Sequence, residues 1–184
     1  MKKTPKFCAL ALAAALLFLP MAAHALLVNL GRLSLQAPAS FDVFTRDMRP
    51  DDPILALYGT SREAVAQELA SQGLLMKARE IAGAYTLTLS VAPEAGPDFS
   101  ALSDEELLSQ AQAYSGLGSP DTSPLFRSRQ AAFVLLRGGS SLHYLTRVGG
   151  SLYRLSLQAD GGLNNAMADS LKTIAQSMDF GLGQ

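Results

Sequence analysis

The stretch RGGSSLHYLTRVGGSLYRLSLQADGG, residues 137–162, decides the fold. Two Gly-Gly pairs, Gly138-Gly139 and Gly149-Gly150, separate runs in which apolar and polar residues alternate. A period of two marks a half-buried strand, and paired glycines favour tight hairpin turns. Together with the residues from Ala131 onward, the stretch predicts an antiparallel meander of three strands. If each Gly-Gly pair is a two-residue turn, Leu135 faces Leu142 and Leu157, Phe133 faces Tyr144 and Leu155, and Ala131 faces Thr146 and Tyr153. That side is nearly all apolar and is expected to face a core. The other side is mixed: Leu136, Ser141 and Gln158 form one row, Val134, His143 and Ser156 the next, and Ala132, Leu145 and Arg154 a third. A helix or loop is expected to cover part of it.

Downstream, Leu163, Met167, Leu171, Ile174 and Met178 recur at spacings of four, four, three and four residues. This is one face of a long helix, suited to the apolar side of the meander. Upstream, Leu30 to Ala37 and Phe41 to Thr45 read as strands, with a loop from Arg49 to Pro53. A helix is predicted over Thr60 to Gln72, with Thr60 and Glu63 at capping-box spacing and Gly73 at its end. Leu74 to Glu80 and Tyr85 to Val91 follow as strands, with Gly83 in the turn between them. Ser103 and Glu106 form a second capping box and open a helix that runs towards Gly116. Residues 116–129, rich in Gly, Ser and Pro, are the longest irregular segment. The fold class expected is α+β: an antiparallel sheet with a C-terminal three-strand meander, packed by helices, in a single domain over residues 26–184.

Residues 1–25 have the grammar of a secretory signal peptide. Lys2, Lys3 and Lys6 form a basic start, Phe7 to Leu19 an apolar run, and Ala23-His24-Ala25 a small-x-small site. Cleavage after Ala25 would leave 159 of the 184 residues. The competing expectation is an uncleaved membrane tether, because Leu26-Leu27-Val28 lengthens the run towards the ~20 residues that span a bilayer. Cys8, the one cysteine, lies inside the leader, so the remaining chain has no thiol or disulfide and must be held by its core. Removing Lys2, Lys3 and Lys6 from 15 basic residues leaves 12 against 16 acidic ones, a formal charge of −4. That balance argues against nucleic acid as a partner, which needs a basic field. The expected location is the periplasm, the cell envelope or the outside of the cell.

The meander followed by a long helix ending Ile174-Ala175-Gln176-Ser177-Met178-Asp179-Phe180 resembles the PsbP/Mog1-like group. The resemblance lies in the order of strands and helices over residues 30–180. It implies an α/β/α sandwich and an accessory or binding role without catalysis. No site residue is carried over from it.

Four residues stand out as ligand-binding candidates: His143, Arg127, Arg129 and Arg147. In the predicted register His143 lies beside Ser156, which admits a serine–histidine pair. No carboxylate neighbours the imidazole, and Ser156 is in mid-strand rather than on an exposed turn, so no catalytic residue is assigned. Arg127 and Arg129, two apart in an extended segment, share a side, and Arg147 is expected near the same end of the sheet. Such a group would suit a carboxylate, a phosphate or anionic headgroups. Asp47, Asp51 and Asp52 lack the spacing of a calcium loop, and no metal or cofactor is expected. The glycine pairs lack phosphate-loop spacing, and Asp104-Glu105-Glu106 is explained by the first turn of a helix. The expected function is an exported, non-enzymatic envelope domain that binds a protein partner or an envelope component. The alternatives are a hydrolase using His143 with a serine, and a membrane-tethered structural protein that keeps its leader.

Overall fold

A computed structural model describes residues 25–120, 126–128 and 130–181. Leader residues 1–24, residues 121–125 of the irregular segment and Arg129 therefore lie outside the described residues. The described residues open with a hairpin, β1 (Leu26–Leu30) and β2 (Leu33–Ala37), where the sequence pattern suggested one strand from Leu30. Gly31 makes the difference: its φ of 74° reverses the chain, a conformation that costs glycine little. β3 (Phe41–Thr45) follows, then a short helix α1 (Pro53–Leu57), which begins where the loop expected over Arg49 to Pro53 ends and which the sequence pattern did not suggest. The Asp52 side chain caps that helix by accepting from the Ile54 amide at 3.1 Å, and Pro53 occupies its first turn.

Helix α2 (Arg62–Ser71) begins one residue later than its spacing suggested. Ser61, not Thr60, is the cap, accepting from the Ala64 amide. Next come β4 (Leu74–Glu80) and β5 (Tyr85–Pro93), then α3 (Asp104–Gln112), whose Ser103–Glu106 capping box is fully formed. Short β6 (Ser119–Pro120) and β7 (Phe126–Arg127) flank the meander β8 (Ala132–Arg137), β9 (Ser141–Val148) and β10 (Ser151–Ala159), and α4 (Asn165–Gln176) closes the order. The large sheet is antiparallel throughout, in the order β3-β4-β5-β10-β9-β8-β6, with β7 beside β8.

The β9–β10 register is the one read from the sequence, with His143 opposite Ser156 and Leu142 opposite Leu157. The β8–β9 register is displaced by two residues, so that Leu135 faces Tyr144 rather than Leu142. The turn there is longer than the Gly-Gly pair alone. Arg137 pairs with Leu142, and the Gly138 amide donates to the Ser141 carbonyl at 2.8 Å. Because strand side chains alternate with a period of two, this slip exchanges cross-strand neighbours but leaves every residue on its expected face.

One face of the sheet is closed. The row Val43, Ala78, Leu87, Leu157 and Leu142 is buried there with Leu33 and Leu35 of the hairpin and Leu171 and Ile174 of α4. A backbone bridge between Ser34 and Asp179, at 2.8 and 2.9 Å, ties the hairpin to the end of α4. The opposite face carries two separate helices. Helix α2 buries Val65 and Leu69 with Phe44 and Leu74, whereas α3 buries Leu107 and Ala111 with Val134, Leu136 and Leu145. The architecture is therefore an α+β, α/β/α sandwich, as expected.

Candidate functional site

Following a single row of paired residues across the second face locates the site. From one edge to the other it reads Phe44, Lys77, Thr88, Ser156, His143 and Leu136. Its apolar ends, Phe44 and Leu136, are buried beneath α2 and α3, while the four polar residues between them stay partly exposed. The row on one side contains Asp42, Arg79, Thr86, Gln158 and Ser141. On the other side stand Leu74, Ser90, Arg154, Leu145 and Val134, again apolar at the ends and polar in the middle. The result is a trough floored by β4, β5, β10 and β9 and walled by α2 and α3. With strands about 4.8 Å apart, the floor is roughly 14 Å across.

His143 lies on this floor. Its Nδ1 is 2.8 Å from Ser156 Oγ, and its Nε2 is 3.0 Å from Ser141 Oγ. Burial, and then the positive charge of Arg154, hold the imidazole below the usual histidine range, so it is neutral at pH 7. A neutral ring donates from one nitrogen and accepts at the other, and two hydroxyls satisfy both roles in either tautomer. A serine thus occupies the place where a catalytic pair needs an orienting carboxylate. The geometry makes His143 a fixed polar element of the floor.

The arginines singled out from the sequence serve the α3 wall. Arg147, on β9, is 4% exposed and lies 4.9 Å over the Phe99 ring. Its Nε donates to the Pro97 carbonyl at 2.7 Å and its Nη1 to Glu94 Oε1 at 2.8 Å. Glu94 also accepts from the Tyr114 hydroxyl, and burial together with that carboxylate pushes the Tyr114 phenol up to about 12. Gly96 is required here, because a Cβ would stand 2.7 Å from the Arg147 guanidinium carbon and the residue's φ is +139°. Arg127 secures the other end of the same segment. Its Nη2 donates to the Leu102 carbonyl and to Asp104 Oδ1, both at 2.7 Å. The two guanidinium groups are therefore engaged with residues 94–104, which lead into α3, rather than gathered around a shared anion site.

At the α2 wall, Lys77 is paired with Glu68 at 2.6 Å, and Arg79 lies 5.8 Å over the Tyr58 ring. Arg154 is different. It is partly buried, and among the described residues no hydrogen bond or ion pair holds it. It lines a cleft of about 280 Å³ between the end of α2 (Gln72 and Gly73) and the residues after α3 (Tyr114 and Leu117), floored by Ser90, Leu145 and Leu152. The sequence placed Arg154 on the mixed face but gave it no role. The signal it left was the single charge in the run LYRLSLQ.

No protein-family model matches the chain, and no curated protein matches it. Among solved structures it is similar to cyanobacterial PsbP (CyanoP) from Synechocystis sp. PCC 6803, at 11% identity and a TM-score of 0.45. The match covers 86% of this chain and 93% of that one. The likeness is one of fold, PsbP-like and α+β, and brings no function with it. Among the described residues no helix is long and apolar enough to cross a membrane. Nor does any group of three or more His, Cys, Asp and Glu side chains among them stand ready to hold a metal ion.

Proposed function

We propose that this protein is an exported domain of the cell envelope that binds a partner or an envelope component in the trough, without catalysing a reaction. The observation that carries this reading is the polar middle of a sheet face whose two ends are buried by helices. A face left merely to water needs no walls. Here α2 and α3 stand on either side, and residues 94–104, which lead into α3, are anchored by two arginines. Largely preformed concave sites with a few convergent polar groups are where ligands bind. The chemistry favours binding over turnover, since serine hydroxyls sit at both ring nitrogens of the imidazole on the floor, one of them where a catalytic pair needs an orienting carboxylate. Export is supported by the grammar of the leader and by the start of β1 at Leu26, directly after the small-x-small site ending at Ala25.

Crosslinking in intact cell envelopes, followed by mass spectrometry of the linked species and of the protein itself, tests both halves. The expected result is a mature N-terminus at Leu26 and a recurrent partner joined through residues bordering the trough. An unprocessed chain in the membrane fraction would favour the tethered structural protein. Turnover of an ester or amide that is lost in both His143→Gln and Ser156→Ala would favour the hydrolase.

A further inference from the structure

We propose that Arg154 and the cleft it lines bind a carboxylate carried on a short apolar group. This rests on reading the trough as the functional face, and it names the chemistry that one part of the trough selects. A partly buried guanidinium without a partner is costly to keep, since its desolvation is offset neither by an ion pair nor by hydrogen bonds. The other cations of this face are already committed. Lys77 is held by Glu68, Arg79 rests on Tyr58, and Arg147 is held by Glu94. Among the described residues Arg154 has no such partner.

The surroundings set the kind of anion. Beside Arg154, the Ser90 hydroxyl is its cross-strand neighbour and Gln72 stands on the rim. Leu117, Leu152 and Ala92 supply apolar surface. One guanidinium, a hydroxyl and an amide suit a monoanion, and the fork of an arginine matches a carboxylate in two parallel bonds. A phosphate dianion would call for more positive charge than the cleft offers. The apolar wall suits a few carbons attached to the carboxylate. About 280 Å³ lies just below the range of complete small-molecule sites, so the cleft takes a terminal group rather than an extended molecule. A free short-chain acid and the C-terminus of a peptide ending in an apolar residue share this chemistry.

His143 provides an internal reporter. Arg154 is the charge that bears on it; β8 presents Leu136 to it, and Lys77, further along its row, is paired with Glu68. An anion on Arg154 cancels the repulsion that helps keep the imidazole below its ordinary range. Binding must therefore raise the histidine's pKa, and by linkage must strengthen as pH falls through it.

The test is an NMR titration of the purified protein with hexanoate, hexanamide and inorganic phosphate, and with a leucine-terminated peptide in free-acid and amidated forms. His143→Gln assigns the imidazole signal. Saturable shifts at Ser90, Leu152 and Arg154 are expected with hexanoate, together with a rise in the His143 pKa, and neither is expected with hexanamide. Affinity should fall at least about tenfold in Arg154→Gln, the loss expected for one charge-assisted pair. Tighter binding of the free-acid peptide than of hexanoate would identify a protein terminus as the source. The reverse would identify a free acid, and either supports the site. Equal response to hexanamide, preference for phosphate, or unchanged affinity in Arg154→Gln would overturn it. Should Arg154→Gln fail to fold, the comparison of hexanoate with hexanamide on the native protein decides alone. Absence of a crosslinked partner would defeat the envelope-binding reading without touching this one, and a negative titration would do the opposite.

Discussion

The two faces of the sheet are built from the same strands, yet they solve different problems. On the closed face the rows are apolar over most of their length, apart from the buried Thr146 and strand-end residues such as Thr45, Glu80 and Arg137, and a hairpin and α4 cover it. On the open face the rows through Ser156 and Arg154 are polar in the middle and apolar at their ends, and each of those ends has its own helix. The contrast separates what stabilises this protein from what it presents to others. Residues one position apart on a strand belong to different jobs: Leu157 holds the fold, and Ser156 beside it helps to form a floor.

The comparison breaks most visibly if the closed face is not the main source of stability. Leu157→Ala, at 1% exposure, is expected to cost about 2–5 kcal/mol in urea unfolding through lost burial and a cavity. Arg147→Ala comes next, at about 2–3 kcal/mol, because it strands Glu94 and the Pro97 carbonyl; the partly exposed Glu94 keeps this below the cost for a fully buried pair. A smaller effect is expected with pH. The His143 pKa is lowered in the folded protein, so its contribution is present above the ordinary value of 6.5 and declines as pH falls below it. Melting temperature should dip below about pH 6.5 in the native protein, and that part of the dip should vanish in His143→Gln. Smallest of all, Thr88→Ser on the floor is expected to change stability by no more than about 0.5 kcal/mol. A Thr88 substitution as costly as Leu157→Ala would show that the open face is core after all.

How far the sequence revealed this follows from how local each signal is. The faces of β8, β9 and β10 were legible because alternation is written within each strand, and a slip of two residues cannot move a side chain to the other face. The capping box at Ser103 was legible for the same reason. The turn at Gly31 was hidden by Leu26-Leu27-Val28, which continues the apolar leader and so does not read as a strand of its own. Helix α1, only five residues long, is too short to show a helical period.

The trough itself was not legible. Its floor needs Thr86, Thr88 and Ser90 of β5 beside Arg154, Ser156 and Gln158 of β10, strands separated by most of the second half of the chain. Each alternation could be seen, but nothing local says that the two polar sides adjoin. The separate engagements of Arg127 and Arg147 were hidden for a related reason. Arg127 was read by its spacing to Arg129 and Arg147 by its place at the same end of the sheet, whereas the partners of Arg127 and Arg147, Asp104 and Glu94, lie in the segment leading into α3.

The most direct measurement places a photoreactive residue at Thr88, in the trough, and in a parallel protein at Lys172, exposed on α4 behind the closed face. Both are illuminated in native cell envelopes and the products compared. The account predicts a discrete linked species from position 88 that is absent from position 172. The same species from both positions, or from position 172 alone, would contradict the assignment of the open face as the one that binds.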